Sequence, residues 1–241
     1  MKWNLINYLK IDFLKNPALI LFSFASFLYI MGGIYNFEYY VLISKSLMVP
    51  SILLYYIQSC KKIDSIVTIL FFVFFFADII LTTNPENSLV WVVVLYIISY
   101  LIIFYTVITT FKADKDLVIT KGKIYNIVFF VFLYLFIYFQ FVDFIFDLNF
   151  EYKILYLIAS IILLSLLITA TVLCVLKQSR QKWFLILAVL IMLISNFIFV
   201  CQIYYVEYEL LYFWALITQS FFYFFLIKFY LINNKREAAG K

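Results

Sequence analysis

The chain is a succession of long apolar runs separated by short polar breaks. Eight such runs, at 17–35, 38–59, 65–82, 88–111, 124–146, 152–176, 183–203 and 209–231, stand out. A bilayer core about 30 Å thick is crossed by roughly 20 helical residues, so each run is long enough to span it. None has the period-two alternation of a barrel strand. The pattern therefore predicts an all-α, polytopic membrane helix bundle with about eight transmembrane helices. Ahead of the first run, residues 1–16 set Trp3, Ile6, Leu9 and Phe13 at helical spacing with Lys2, Lys10 and Lys15 between them, which predicts an interfacial helix. The run from Pro17 is too long for a cleavable signal, and no small-x-small site follows it. Residues 17–232 are thus expected to form one transmembrane domain and 233–241 a cytoplasmic tail, with no soluble domain or long linker.

The polar breaks carry the orientation. Three Lys precede the first run, and two Lys/Arg follow the second, four the fourth and three the sixth. Four more lie at the C-terminal end, which makes sixteen on one side. The alternate breaks hold Lys153 alone, and Lys45 lies inside a run. By the positive-inside rule both termini are cytoplasmic. The acids Glu38, Glu86, Asp143, Asp147, Glu151, Glu207 and Glu209 all fall on the other side, where Asp143 and Asp147 read as solvated surface carboxylates. The expected location is a cell membrane, as a multi-pass protein of the bacterial inner-membrane type.

Composition narrows the chemistry. Hydrophobic residues make up 67% of the 241 positions, more than a soluble domain of this size can bury. There is no histidine, which removes Ser-His and Cys-His nucleophile systems and His-ligated metals or haems. No cofactor or metal is expected. Cys60, Cys174 and Cys201 are far apart and odd in number, and read as small apolar fillers. Abundant Phe and Tyr, beside abundant Ile, Asn and Lys, fit the amino-acid choice of an AT-rich genome, and the net charge of +5 follows from topology. No nucleic-acid partner is implied. With three prolines and four glycines, the broken helices of many secondary transporters are missing.

Away from the span ends, two ionisable residues lie within the spans, Lys45 on the second and Asp78 on the third. Each costs roughly 2.5 to 3.5 kcal/mol at the centre of a bilayer, so both should face the bundle interior. Counted from the span ends they sit at similar depth on consecutive antiparallel helices, so they are placed to meet. Ser99, Tyr100 and Tyr105 on span four, Ser195 and Asn196 on span seven and Gln219 on span eight add polar groups around the same volume. Such a volume suits the head group of an amphiphile, with its chain running into the bundle or the bilayer. Two plainer readings stand beside it: a structural Lys45–Asp78 ion pair, and helix-to-helix hydrogen bonds from Asn196 and Gln219.

Read in order, these residues carry a resemblance. Lys45-Ser46-Leu47-Met48-Val49-Pro50 is followed by Ala77-Asp78, then by Ser99-Tyr100 with Tyr105, by Ser195-Asn196-Phe197, and by Thr218-Gln219. The order resembles the YhhN-like family, eight-helix membrane proteins that include the lysoplasmalogenases. That family has Lys-Pro, Gly-Asp, Ser/Ala-His then Tyr, Ser-Asp or Ser-Asn, and a late Gln or His. Here lysine and proline are separated, Ala77 replaces glycine, Tyr100 stands for the histidine, and Asn196 stands where many members have a second aspartate.

The resemblance implies hydrolysis of the vinyl ether bond of a lysoplasmalogen to an aldehyde and a glycerophospho-head group. Protonation of the β-carbon gives an oxocarbenium ion that water captures, which requires a protonated carboxylic acid and a site that stabilises the cation, as in glycosidases. On this reading Asp78 is the acid/base, and Lys45 pairs with it or holds the substrate phosphate. Asn196 with Tyr100 and Gln219 orients water and the glycerol hydroxyl, while Ser99, Tyr105 and Ser195 line the substrate site. Two alternatives stay open. One is a non-catalytic protein of the same fold that binds a lipid, another amphiphile or a membrane partner. The other is a small-solute transporter coupled through Lys45 and Asp78.

Overall fold

The computed structural model describes residues 16–60, 62–113, 119–147, 152–204 and 209–239. The expected interfacial helix over 1–16 lies outside them apart from Asn16. Eight helices make up the described part: α1 (Pro17–Ile34), α2 (Glu38–Ser59), α3 (Ser65–Thr83), α4 (Pro85–Ala113), α5 (Lys121–Asp147), α6 (Lys153–Leu176), α7 (Arg180–Tyr204) and α8 (Glu209–Ala239). All eight are long and apolar enough to cross a membrane, and no strand occurs among the described residues. The ends differ from the sequence reading chiefly at α8, which stays helical to Ala239 rather than ending at 231.

Local chemistry fixes several helix ends. Asn16 caps α1 through its side-chain oxygen, which accepts from the backbone N–H of Ala18 at 3.0 Å, with Pro17 at the first helical position. Asp64 caps α3 in the same way, accepting from Ile66 at 2.9 Å. Between α1 and α2 the chain reverses over three residues, and Asn36 takes a left-handed φ of 54°, a conformation asparagine tolerates better than most side chains. Gly32 permits that reversal. A Cβ there would lie 2.9 Å from the Cβ of Tyr40, so α1 and α2 cross closely at this point.

The helices pair as α1 with α2, α3 with α4, α6 with α4 and α7, and α7 with α8, while α8 returns to α1 and α2. The fifth helix is peripheral. It packs chiefly on α6, and 6% of its spanning window is buried. The main core runs through the other seven and reaches α5 at Tyr134, with Leu70, Phe74, Ile103, Leu166, Ala170 and Leu226 fully buried. Phe74 wedges α3 against α8, its ring 5.3 Å from Phe222 and 5.6 Å from Tyr223.

Side-chain bonds tie together the end of the bundle that holds the start of α1 and the end of α8, called here the terminal end. Lys123 donates to the carbonyl of Leu176 at 2.6 Å, Gln181 to Asn233 at 2.8 Å and Asn234 to the carbonyl of Lys62 at 2.5 Å. Two cations assigned from sequence to the polar breaks are buried at this end: Lys182, and Lys228, whose ammonium donates to the Tyr55 hydroxyl at 2.7 Å. No disulfide links the three cysteines.

Candidate functional site

The opposite half of the bundle contains a cavity of about 1830 Å³ with walls from all eight helices. That exceeds the roughly 300–1,000 Å³ of ordinary small-molecule pockets. Its floor lies near mid-bundle, at Tyr100, Tyr134, Leu167 and Leu190, and its mouth is at the α1–α2 turn and the end of α3, at Asn36, Glu38 and Thr83. The wall is mainly aliphatic and aromatic, with Lys45 as its basic and Glu38 as its acidic side chain.

Asp78 anchors the polar part of the site. It is fully buried, one turn back from the end of α3, and its carboxylate accepts three hydrogen bonds. Tyr96 of α4 donates to Oδ1 at 2.8 Å, Gln219 of α8 donates to the same oxygen at 2.8 Å, and Tyr223 of α8 donates to Oδ2 at 2.6 Å. Tyr96, Tyr223 and Gln219 line the cavity, whereas Asp78 does not. The carboxylate therefore lies just behind the wall, screened from a ligand by the groups that donate to it. Those three bonds give the buried carboxyl polar partners from two neighbouring helices.

The network extends from Gln219. Its side-chain oxygen accepts from the Tyr29 hydroxyl of α1 at 2.7 Å, and the Lys45 ammonium lies 5.3 Å from the centroid of the Tyr29 ring. No ion pair joins Lys45 to Asp78 among the described residues. The path between them runs through Tyr29 and Gln219. Lys45 is 5% exposed and faces the cavity, which leaves its ammonium available to an anion there. On the far wall, Asn196 of α7 donates through Nδ2 to the Tyr100 hydroxyl at 2.8 Å, and Tyr100 stacks on Tyr96 with ring centroids 6.2 Å apart.

The residues expected from sequence thus separate into three groups. Lys45, Tyr100, Ser195, Asn196 and Gln219 line one cavity, and Asp78 joins them from behind through Gln219. Ser99 and Tyr105 do not join the site. The Ser99 hydroxyl is fully buried and donates to the Leu95 carbonyl of its own helix at 3.0 Å, and Tyr105 is 56% exposed on the outside of α4. The plainer reading of Asn196 and Gln219 as helix-to-helix bonds also describes real contacts, α7 to α4 and α8 to α3, made by side chains that face the cavity.

Three members of the network were not singled out from sequence: Tyr29, Tyr96 and Tyr223. With 21 tyrosines in the chain the residue type is no signal. Spacing is one, because Tyr96 lies four residues before Tyr100 and Tyr223 four after Gln219, on the same helix faces as residues already chosen. Comparison of the chain with models of known protein families, with curated proteins and with solved structures finds no match.

Proposed function

We propose that this is a multi-pass cell-membrane protein that binds a single-chain amphiphile with a phosphate-bearing head group, of the lysophospholipid class. The observation that carries this reading is a large, mainly apolar cavity in which one ammonium, Lys45, stands beside a band of tyrosine, serine and amide groups. The phosphate lies at Lys45 and the hydrocarbon chain along the aliphatic wall. The sixteen-to-one distribution of Lys and Arg puts the terminal end in the cytoplasm, so the cavity faces the opposite side of the membrane.

The reaction that fits this site is vinyl ether hydrolysis. A proton adds to the β-carbon, and the electron pair of the double bond forms the new C–H bond. The resulting oxocarbenium ion takes up water at the α-carbon, the proton that this water releases returns to the carboxylate left on Asp78, and the hemiacetal collapses to an aldehyde as its hydroxyl proton passes to the departing glycerol oxygen. Asp78 stands behind Tyr96 and Tyr223, so its proton reaches the substrate through a hydroxyl rather than directly. Protonated Asp78 donates to one tyrosine oxygen, and that tyrosine turns its own O–H toward the cavity. Tyr100, held by Asn196, and Gln219 orient the water and the glycerol hydroxyl.

The test is incubation of the purified protein with a lysoplasmalogen and with an ester lysophospholipid, with aldehyde and fatty acid measured separately. Aldehyde from the first, no fatty acid from the second, and loss of aldehyde in a folded Asp78→Asn variant is the expected result. Full aldehyde release by Asp78→Asn removes the assignment. The screening of Asp78 from the cavity favours a second reading, a binding protein without turnover. It is recognised by saturable lysophospholipid binding with no aldehyde formed.

A further inference from the structure

The cavity has exposed edges in two places, and their chemistry differs. At the mouth, Asn36, Glu38 and Thr83 both line the cavity and reach the surface. A second exposed edge lies on α5 and α7, where Phe136 is 64% exposed, Ile137 46%, Ile194 46% and Phe197 43%, and all four also line the cavity. Side chains that bound both the interior space and the outer surface mark an opening. This one is mainly apolar, with Gln140 of α5 as an exposed polar side chain beside it.

Its construction can be read from the packing. Both α5 and α7 rest on α6, and 6% of the α5 window is buried. Near the end opposite the termini the two helices meet through Phe141 and Phe197, whose ring centroids are 6.0 Å apart, and through Ile145 and Val200 in a small core separate from the main one. As alternate members of an up-and-down bundle they run in the same direction. One turn before that contact, Ile137 and Ile194 therefore flank the same gap. Ala159 and Ser160 of α6, both small, line the cavity behind it.

We infer that the gap between α5 and α7, closed at one end by the Phe141–Phe197 contact, is a lateral slot through which the hydrocarbon chain of the bound amphiphile passes between cavity and bilayer while its head group stays at the polar mouth side. The inference rests on the amphiphile reading above and deepens it by fixing the route and direction of the chain. A gap bounded by Phe136, Ile137, Ile194 and Phe197, with Gln140 as the exposed amide beside it and no charged side chain among these residues, offers little to a hydrated solute or a charged head group. An alkyl chain passing it exchanges one apolar surrounding for another, with no desolvation cost to oppose its movement.

The experiment uses the full chain in nanodiscs and a lysophosphatidylethanolamine carrying a diazirine at the end of its chain. After photolysis, adducts are mapped by mass spectrometry with and without excess unlabelled lysophosphatidylethanolamine. Adducts on Phe136, Ile137, Ile194 or Phe197 that the competitor suppresses are expected, together with uncompeted labelling of the lipid-facing Phe129 and Phe132. Competed adducts confined to the mouth or to the floor residue Leu167 overturn the slot. If no labelling is competed at any residue, amphiphile binding itself has failed, and the slot is read independently. With Trp3, Trp91, Trp183 and Trp214 changed to Phe, Leu163→Trp, on a cavity-lining position 3% exposed, reports on chains entering from the bilayer. Quenching by phosphatidylcholine brominated in its chains supports the slot, and unquenched fluorescence overturns it.

Discussion

The two halves of the bundle use polar side chains in opposite ways. In the half holding the termini, Gln181, Lys123, Lys228 and Asn234 bond one helix to another, to a helix end or to a break between helices, and Thr106 bonds Tyr230 at 3.0 Å, and none of these side chains lines the cavity. In the other half, Lys45, Tyr96, Asn196, Gln219 and Tyr223 also bond or approach one another, but around about 1830 Å³ of open space. The contrast separates glue from site. A buried lysine is no sign of function by itself: Lys228 is 5% exposed and serves a tyrosine hydroxyl, while Lys45, also 5% exposed, faces a cavity. What distinguishes them is whether the polar groups close on themselves or leave a face toward room for a ligand.

Four substitutions press on this difference. The largest effect is expected at Asp78. Asp78→Ala strips three donors, Tyr223 buried and Tyr96 and Gln219 half-buried, of their acceptor, at up to about 1–3 kcal/mol for each orphaned group, so thermal unfolding in detergent should fall steeply. Asp78→Asn keeps an acceptor oxygen and should lose distinctly less. Equal losses in the two would show that the three donors do not depend on Asp78. Next is Lys45→Met, which removes the cavity's ammonium but keeps an apolar stem. Lysophospholipid affinity should drop by about tenfold or more, equivalent to roughly 1.4 kcal/mol. The unfolding temperature should move much less than for Asp78→Ala, because the Lys45 ammonium stands against the Tyr29 ring and makes no ion pair among the described residues that the change would break.

Asn196→Leu should be milder, since an interhelical hydrogen bond in a membrane averages about 0.6 kcal/mol. It releases Tyr100, and on the hydrolase reading it should slow aldehyde release more than it weakens binding, which kcat and KM measured separately will reveal. Gln181→Ala should be smallest for function. It costs about 1 kcal/mol of stability through the lost bond to Asn233 and leaves lysophospholipid affinity unchanged. A change in affinity there would mean that the two halves are coupled.

The eight helices were legible because an apolar run of spanning length has few alternatives, and the pairing of Lys and Arg breaks with apolar runs fixed their number. The far end of α8 was not, because Asn233 and Asn234 read as the start of a tail until their bonds to Gln181 and Lys62 hold the helix on past the apolar run. Lys45 and Asp78 were legible as charges where charge is costly. Their relation was not, because similar depth on antiparallel helices says nothing about rotation, and the structure turns each toward tyrosines instead of a direct pair. Tyr105 misled for the same reason. Five residues beyond Tyr100 is about 140° around an α-helix, which carries it from the cavity to the exposed face. The network tyrosines Tyr29, Tyr96 and Tyr223 were hidden in a tyrosine-rich chain, because only bonding partners distinguish them from filler.

The most direct measurement is saturable binding of radiolabelled lysophosphatidylethanolamine to the purified protein, compared across wild type, Lys45→Met and Gln181→Ala. The account predicts a single saturable class of site in the wild type, weakened about tenfold or more by Lys45→Met and unchanged by Gln181→Ala. Undiminished affinity in Lys45→Met, or binding that never saturates in the wild type, contradicts it.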